Sequence, residues 1–296
     1  DAYPDSTLTT PAPYFRKTFR INKPVKQAKA YICGLGFYEM CLNGERVGDQ
    51  VLAPAVTNFD RRSLKKMLYF FDDQSNQRVL YNTFDVTSLV QKAENTVGVL
   101  LGNGWYNQRD RTVEGCMWYD TPRLLCQLEI EYTDGSTELV VTDDSWKTTT
   151  GPLQHDAIFT GEEYDARLEL DGWNRNGYKD SSWKKALLVR APKGSLHAQL
   201  APHEKIAWTL QPVSCEQKDD STYWYAFPEM ISGWAHIKVQ GNAGDRIKLR
   251  FVGEEKNDFG QVDLYTLRGS GVEQWEPRFT WHTFRYIEVI SRQVRM

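Results

Sequence analysis

Two segments of alternating apolar and polar residues, Leu124–Tyr132 and Ser136–Thr142, flank the dipeptide Asp134-Gly135. Side chains on a strand alternate between two faces, and Asp-Gly accepts the positive φ angles of a two-residue hairpin loop, so the stretch predicts an antiparallel hairpin. The same pattern recurs along the chain. Lys29–Leu42 is β-rich, broken by Gly34 and Gly36, and followed by the tight-turn pair Asn43-Gly44. Thr96–Leu101 is a short apolar run that fits a buried strand. Residues 236–252 alternate through Ile237 and Val239, then Ile247, Leu249 and Phe251, joined through Gly241-Asn242-Ala243-Gly244. Helical signals are scarce; the best is Thr87–Ala93, with Asp85 or Thr87 as a cap. Many short strands separated by Gly, Asn and Asp turns predict an all-β chain of antiparallel sandwiches.

The chain has 296 residues, enough for two domains. Strand signals lapse at Ala191-Pro192-Lys193-Gly194, which divides it into modules 1–190 and 196–296 joined by a short linker. A net charge of −3, with no run of Lys or Arg longer than two, offers no basic field and argues against nucleic acid as a partner. No apolar run approaches the ~20 residues of a membrane-spanning helix. The five cysteines, an odd count without CxxC spacing, argue against a disulfide framework and a zinc site, although Cys33 and Cys41 could face each other across a hairpin. The chain starts without Met and shows no signal peptide, as expected where an export signal was removed or the sequence trimmed; the compartment stays open. Asp143-Asp144-Ser145-Trp146-Lys147 is echoed by Asp180-Ser181-Ser182-Trp183-Lys184, which reads as an Asp/Ser turn delivering a Trp that anchors a strand.

Residues 161–167 gather Glu162, Glu163 and Asp165 beside Tyr164 and Arg167. Such a set can hydrogen-bond sugar hydroxyls or supply oxygens to calcium. Alternatively Asp165 and Arg167, two apart on one strand face, pair as a local clamp. Gly102–Tyr106 is a Gly-rich turn presenting Trp105 and Tyr106; it lacks the Lys-Ser/Thr of a phosphate cradle, which leaves sugar-facing rings or core rings. The five His residues form no HExxH, and no Gly-x-Ser-x-Gly elbow occurs. In residues 273–289, Pro277 marks a turn before an aromatic alternating strand. Phe279, Trp281 and Thr283 point one way, and His282, Phe284 and Tyr286 the other.

That segment resembles the one closing a β-sandwich just before the catalytic barrel of bacterial α-L-rhamnosidases, glycoside hydrolase family 78. The first module resembles the family's N-terminal module through Ala12–Lys17, Gly34–Glu39, Leu42–Gly44, Val47–Asp49, Leu52–Pro54, Leu101–Tyr106 and Gly161–Arg167, in the family's order. The second is similar through Ile231–Trp234, Gly244-Asp245 and Pro277–Val289, with Met230 and Thr283 standing where the family usually has Asn and Gly.

The resemblance implies two jelly-roll, galactose-binding-like sandwiches that bind a rhamnose-containing glycan or brace the missing catalytic domain. The parent would hydrolyse terminal α-L-rhamnosyl bonds with inversion and be exported to the periplasm or cell surface rather than kept in the cytoplasm. Some related modules bind rhamnose with calcium, but no calcium ligand is assigned here. The barrel's Glu-Arg pair followed by Gly-Trp and Asp has no counterpart: Gly-Trp at 104–105, 172–173 and 233–234 never follows Glu-Arg. This predicts a region without catalytic residues. Trp275, Trp281, His282 and Arg285 are the candidates for a face docking on the missing barrel. The alternatives are a structural spacer without a ligand, or a free-standing lectin.

Overall fold

A computed structural model describes residues 10–60, 77–108, 118–254 and 258–291. The described chain is built from strands, with two single-turn 3-10 segments, and none of its helices is long and apolar enough to cross a membrane.

Two compact units interleave in the sequence. One comprises Pro13–Thr150 and Leu170–Lys205; the other comprises Gly151–Glu169, the residues from Ile206 on, and the N-terminal end through Ala12. Residues 151–169 thus group in space with the C-terminal part of the chain, although they precede the expected linker at 191–194. Residues 151–169 leave the first module because their strand pairs with Asp258–Thr266, far along the chain. Local periodicity carries no record of such a long-range parallel pairing.

The first unit is a sandwich of two sheets. One has the order β12 (Lys184–Lys185), β9 (Lys147–Thr150), β1 (Pro13–Ile21), β6 (Ala93–Gly102), β3 (Phe37–Leu42), β4 (Glu45–Arg46). The other has the order β13 (Ser195–Ala198), β5 (Arg78–Asp85), β2 (Val25–Leu35), β7 (Arg123–Tyr132), β8 (Thr137–Val141). Phe19, Ile21, Met40, Val97 and Val99 from the first meet Ala28, Ala30, Ile32, Leu128, Ile130 and Val140 from the second in one core. Each residue so buried is worth roughly 1.5–3 kcal/mol for a large aliphatic side chain. Both tight turns form as expected: Asn43 and Gly44 take φ 56° and 90°, and the Tyr132 amide donates to Ser136 O around Gly135. The helix expected at Thr87–Ala93 is one 3-10 turn, Thr87–Leu89, whose N-cap is Val86 rather than Asp85 or Thr87; Asp85, one residue earlier, accepts the Thr87 amide and hydroxyl. It stops there because Ala93 already begins β6.

The echoed turns hold. Asp143 accepts from the amide and hydroxyl of Ser145, and Trp146 beyond it is 1% exposed. Trp183 is likewise buried, and the strands that follow the two Trp residues pair with each other, Lys184 against Thr148. Cys33 and Cys41 are both free thiols, so no bridge joins them; burial pushes the Cys33 thiol up to about 12.

The second unit carries a seven-stranded sheet ordered β10 (Leu153–Ala157), β11 (Gly161–Asp165), β18 (Asp258–Thr266), β17 (Arg246–Val252), β20 (His282–Ser291), β15 (Thr222–Gly233), β14 (Ser214–Asp219). A two-stranded sheet, β16 (Ile237–Gln240) with β19 (Val272–Trp275), packs on it where Trp275 stacks 5.2 Å from Tyr265. β11 runs parallel to β18 and approaches closely: a Cβ on Gly161 (φ 118°) would sit 1.9 Å from Val262 O, so only glycine fits there.

The aromatic strand starts later than expected, at His282. His282 and Phe284 point inward and Thr283 is exposed, but the inward set then resumes at Ile287. The slip lies opposite Phe227–Met230, where the β15 register shifts between Ala226 and Ile231.

Candidate functional site

The acidic segment 161–167 lies in the seven-stranded unit and is engaged almost throughout. Glu162 is 1% exposed; its Oε2 accepts the amides of Arg278 (2.8 Å) and Phe279 (3.1 Å). Burial pushes this carboxyl well above the ordinary value, reinforced by the negative charges of Asp156 and Asp263 and opposed by the two amides. Glu163 pairs with Arg246 at 2.7 Å. Tyr164 is buried, stacks on Tyr265 at 5.9 Å and donates its hydroxyl to Glu169.

Asp165 caps the 3-10 turn Ala166–Leu168 through the Arg167 amide and takes the Arg167 guanidinium on both oxygens, at 2.9 and 2.7 Å. The guanidinium hydrogen bond holds the Asp165 carboxyl below the usual range against its partial burial. Of the two readings of Asp165 and Arg167, the geometry is that of the clamp. Calcium does not fit this segment: the oxygens of Asp165 are taken by Arg167, Glu163 is held by Arg246, and Glu162 faces the interior. No cluster of three or more acidic, His or Cys side chains among the described residues could hold a metal.

Trp105 and Tyr106 fall in the other unit, in the turn after β6. Tyr106 is a core ring, 2% exposed, packed edge-on against Phe59 at 5.3 Å and stacked on Tyr119 at 5.5 Å. Trp105 is half-buried against the same cluster of Cys33, Leu35, Phe59 and Val79. Asn107 bridges to Trp118, a residue 38% exposed. Sequence reasoning did not single out Trp118; no local pattern marks it, since only the bridge to Asn107 brings it to this turn. Residues 61–76 and 109–117 lie outside the described residues.

The four docking candidates divide. Trp275 is 6% exposed inside the Tyr164–Tyr265 stack, and His282 is 0% exposed against Phe251, their ring centroids 3.8 Å apart. Both are core residues and present nothing to a partner. Trp281 is half-buried, while Arg285 bonds Glu254 and lies over the Tyr286 ring.

An all-β pair of units, with Glu162, Glu163 and Asp165 held by interior amides, an ion pair and a clamp, defines an accessory β-sandwich region. The chain belongs to the α-L-rhamnosidase family: residues 23–70 and 71–207 match the α-L-rhamnosidase N-terminal domain, and 216–295 match the bacterial α-L-rhamnosidase concanavalin-like domain. An α-L-rhamnosidase of Formosa agariphila is 33% identical over 94% of this chain and 30% of its own length. The structure of the Dictyoglomus thermophilum α-L-rhamnosidase is 38% identical, with a TM-score of 0.83 over 95% of this chain and 30% of that one. That of the Streptomyces avermitilis α-L-rhamnosidase complexed with L-rhamnose is 32% identical, with a TM-score of 0.84 over 95% and 27%. The chain thus spans under a third of these relatives and corresponds to the non-catalytic N-terminal region of the family.

Proposed function

We propose that this chain is the carbohydrate-handling and bracing region of an enzyme that hydrolyses terminal α-L-rhamnosyl bonds, with the catalytic part lying outside it. The observation that carries the reading is the match of both family domains, in order, over nearly the whole chain, with relatives about three times as long. A sugar contact in the first unit falls to Trp105 and Trp118, two rings that keep exposed surface beside the Tyr106 turn. Flat rings meet the C–H face of a pyranose while hydroxyls stay hydrated. Affinity near the millimolar level, ~ −4 kcal/mol, suits so small and wet a ligand. Titration calorimetry with L-rhamnose, with and without a calcium chelator, tests this: a weak, saturable heat supports it.

The internal engagement of Glu162, Glu163, Asp165 and Arg167 favours a second reading, a spacer without a ligand of its own. Flat heats from folded protein would select it.

A further inference from the structure

One face of the seven-stranded sheet loses its cover strand by strand. On β17, Ile247, Leu249 and Phe251 are all 0% exposed. Residues paired across a ladder share a face, so β20 presents Val289 and Ile287 beside Leu249 and Phe251, each 4% exposed. β15 then sets Tyr223 against Val289 and Tyr225 against Ile287, yet both rings are only half-buried. Outermost, β14 sets Gln217 against Tyr223 and Cys215 against Tyr225, and that whole strand is exposed. The face passes from sealed core to solvent within three strand spacings, ~14 Å, while tyrosine and cysteine continue the non-ionic surface. Val213, whose amide bonds Ala226 at the head of this edge, is 65% exposed. The opposite end of the sheet is where Trp275 of β19 stacks on Tyr265.

We infer that the Tyr223–Tyr225–Cys215 end of this face is the seat for polypeptide that the longer relatives carry beyond the matched region: an apolar segment of the same protein. This rests on the reading of the chain as part of a longer enzyme. Two features favour that occupant over a sugar. The surface runs unbroken into the core at Ile287 and Val289, as a layer boundary does. The relatives devote about two thirds or more of their length to residues outside the match, 30% being covered in one and 34% in another. An exposed thiol within the patch also suits a surface destined for cover.

Cys215 reports on the proposal directly. Its maleimide labelling rate, read by peptide mass spectrometry, is compared in this chain alone and in the full-length protein. The expected result is fast labelling alone and labelling at least about tenfold slower in the full-length protein, the factor set by a local opening cost of ~1.4 kcal/mol. Tyr225→Glu in the full-length protein should restore fast labelling. Equal rates in the two proteins overturn the inference, as does a reading frame that stops at residue 296. Protection of this chain alone by L-rhamnose would assign the face to sugar, and protection by dimerisation, seen in light scattering, to a second copy; both overturn it.

Hydrolysis of an aryl α-L-rhamnoside by the full-length protein is scored separately. Protection without turnover retires the rhamnosidase reading and keeps the docking inference. Turnover without protection does the reverse.

Discussion

His282 Nε2 lies 3.0 Å from both carboxylate oxygens of Asp263, and neither side chain reaches solvent. Asp263 also accepts the Glu162 amide at 2.9 Å, which ties β11 to β18 and, through His282, to the first residue of β20. Removing one member of a buried hydrogen-bonded pair strands the other, at a cost of ~1–3 kcal/mol. Asp263→Ala and His282→Ala should each lower stability by about that amount, measured by urea denaturation with tryptophan fluorescence. The double variant should lose much less than the sum of the two. Losses below about 1 kcal/mol would show that the pair is incidental.

Glu162 gives the seven-stranded unit a pH dependence of definite sign. Its folded carboxyl titrates above the ordinary 4.5, so the folded state binds this proton more tightly than the unfolded chain does. The contribution is therefore fully present below pH 4.5 and is lost as pH rises towards the folded value, with a slope of up to ~1.4 kcal/mol per pH unit. Glu162→Gln keeps an acceptor for the Arg278 and Phe279 amides and removes the titration. Melting temperatures from pH 4 to 8 should move in the variant's favour as pH rises, then level off. Parallel curves would exclude a raised Glu162.

Trp105→Ala and Trp118→Ala should each weaken any rhamnose heat by roughly 1 kcal/mol or more, about fivefold, as expected for loss of a stacking ring. Asp165→Ala, which removes the clamp on Arg167 and the cap of the Ala166–Leu168 turn, should leave the heat unchanged. The opposite ranking would move the sugar contact to the acidic segment.

The chain itself should not cleave aryl α-L-rhamnosides, because glycoside hydrolysis needs an acid and a base facing each other across a cleft. Glu162, Glu163 and Asp165 are each held within the fold instead. Turnover above a protein-free blank that disappears on mutating one of these carboxylates would falsify this.

Legible from local sequence were the fold class, the hairpins at Asn43-Gly44 and Asp134-Gly135, the buried strand at Thr96–Leu101 and the two Asp/Ser turns before Trp146 and Trp183. All of these depend on residues within about ten positions of one another, where strand alternation and positive-φ turn residues act. The pairing of Asp165 with Arg167 was legible for the same reason, as one of two readings. Long-range packing instead joins residues 151–169 to β18, seals Glu162 beneath Arg278 and Phe279, and buries Trp275 and His282 while Cys215 and Trp118 face water. Those outcomes turn on partners distant in the chain, such as Glu162 with Phe279, 117 residues apart. Burial and ladder pairing belong to the assembled sheets, and no local pattern encodes which distant strand arrives beside which.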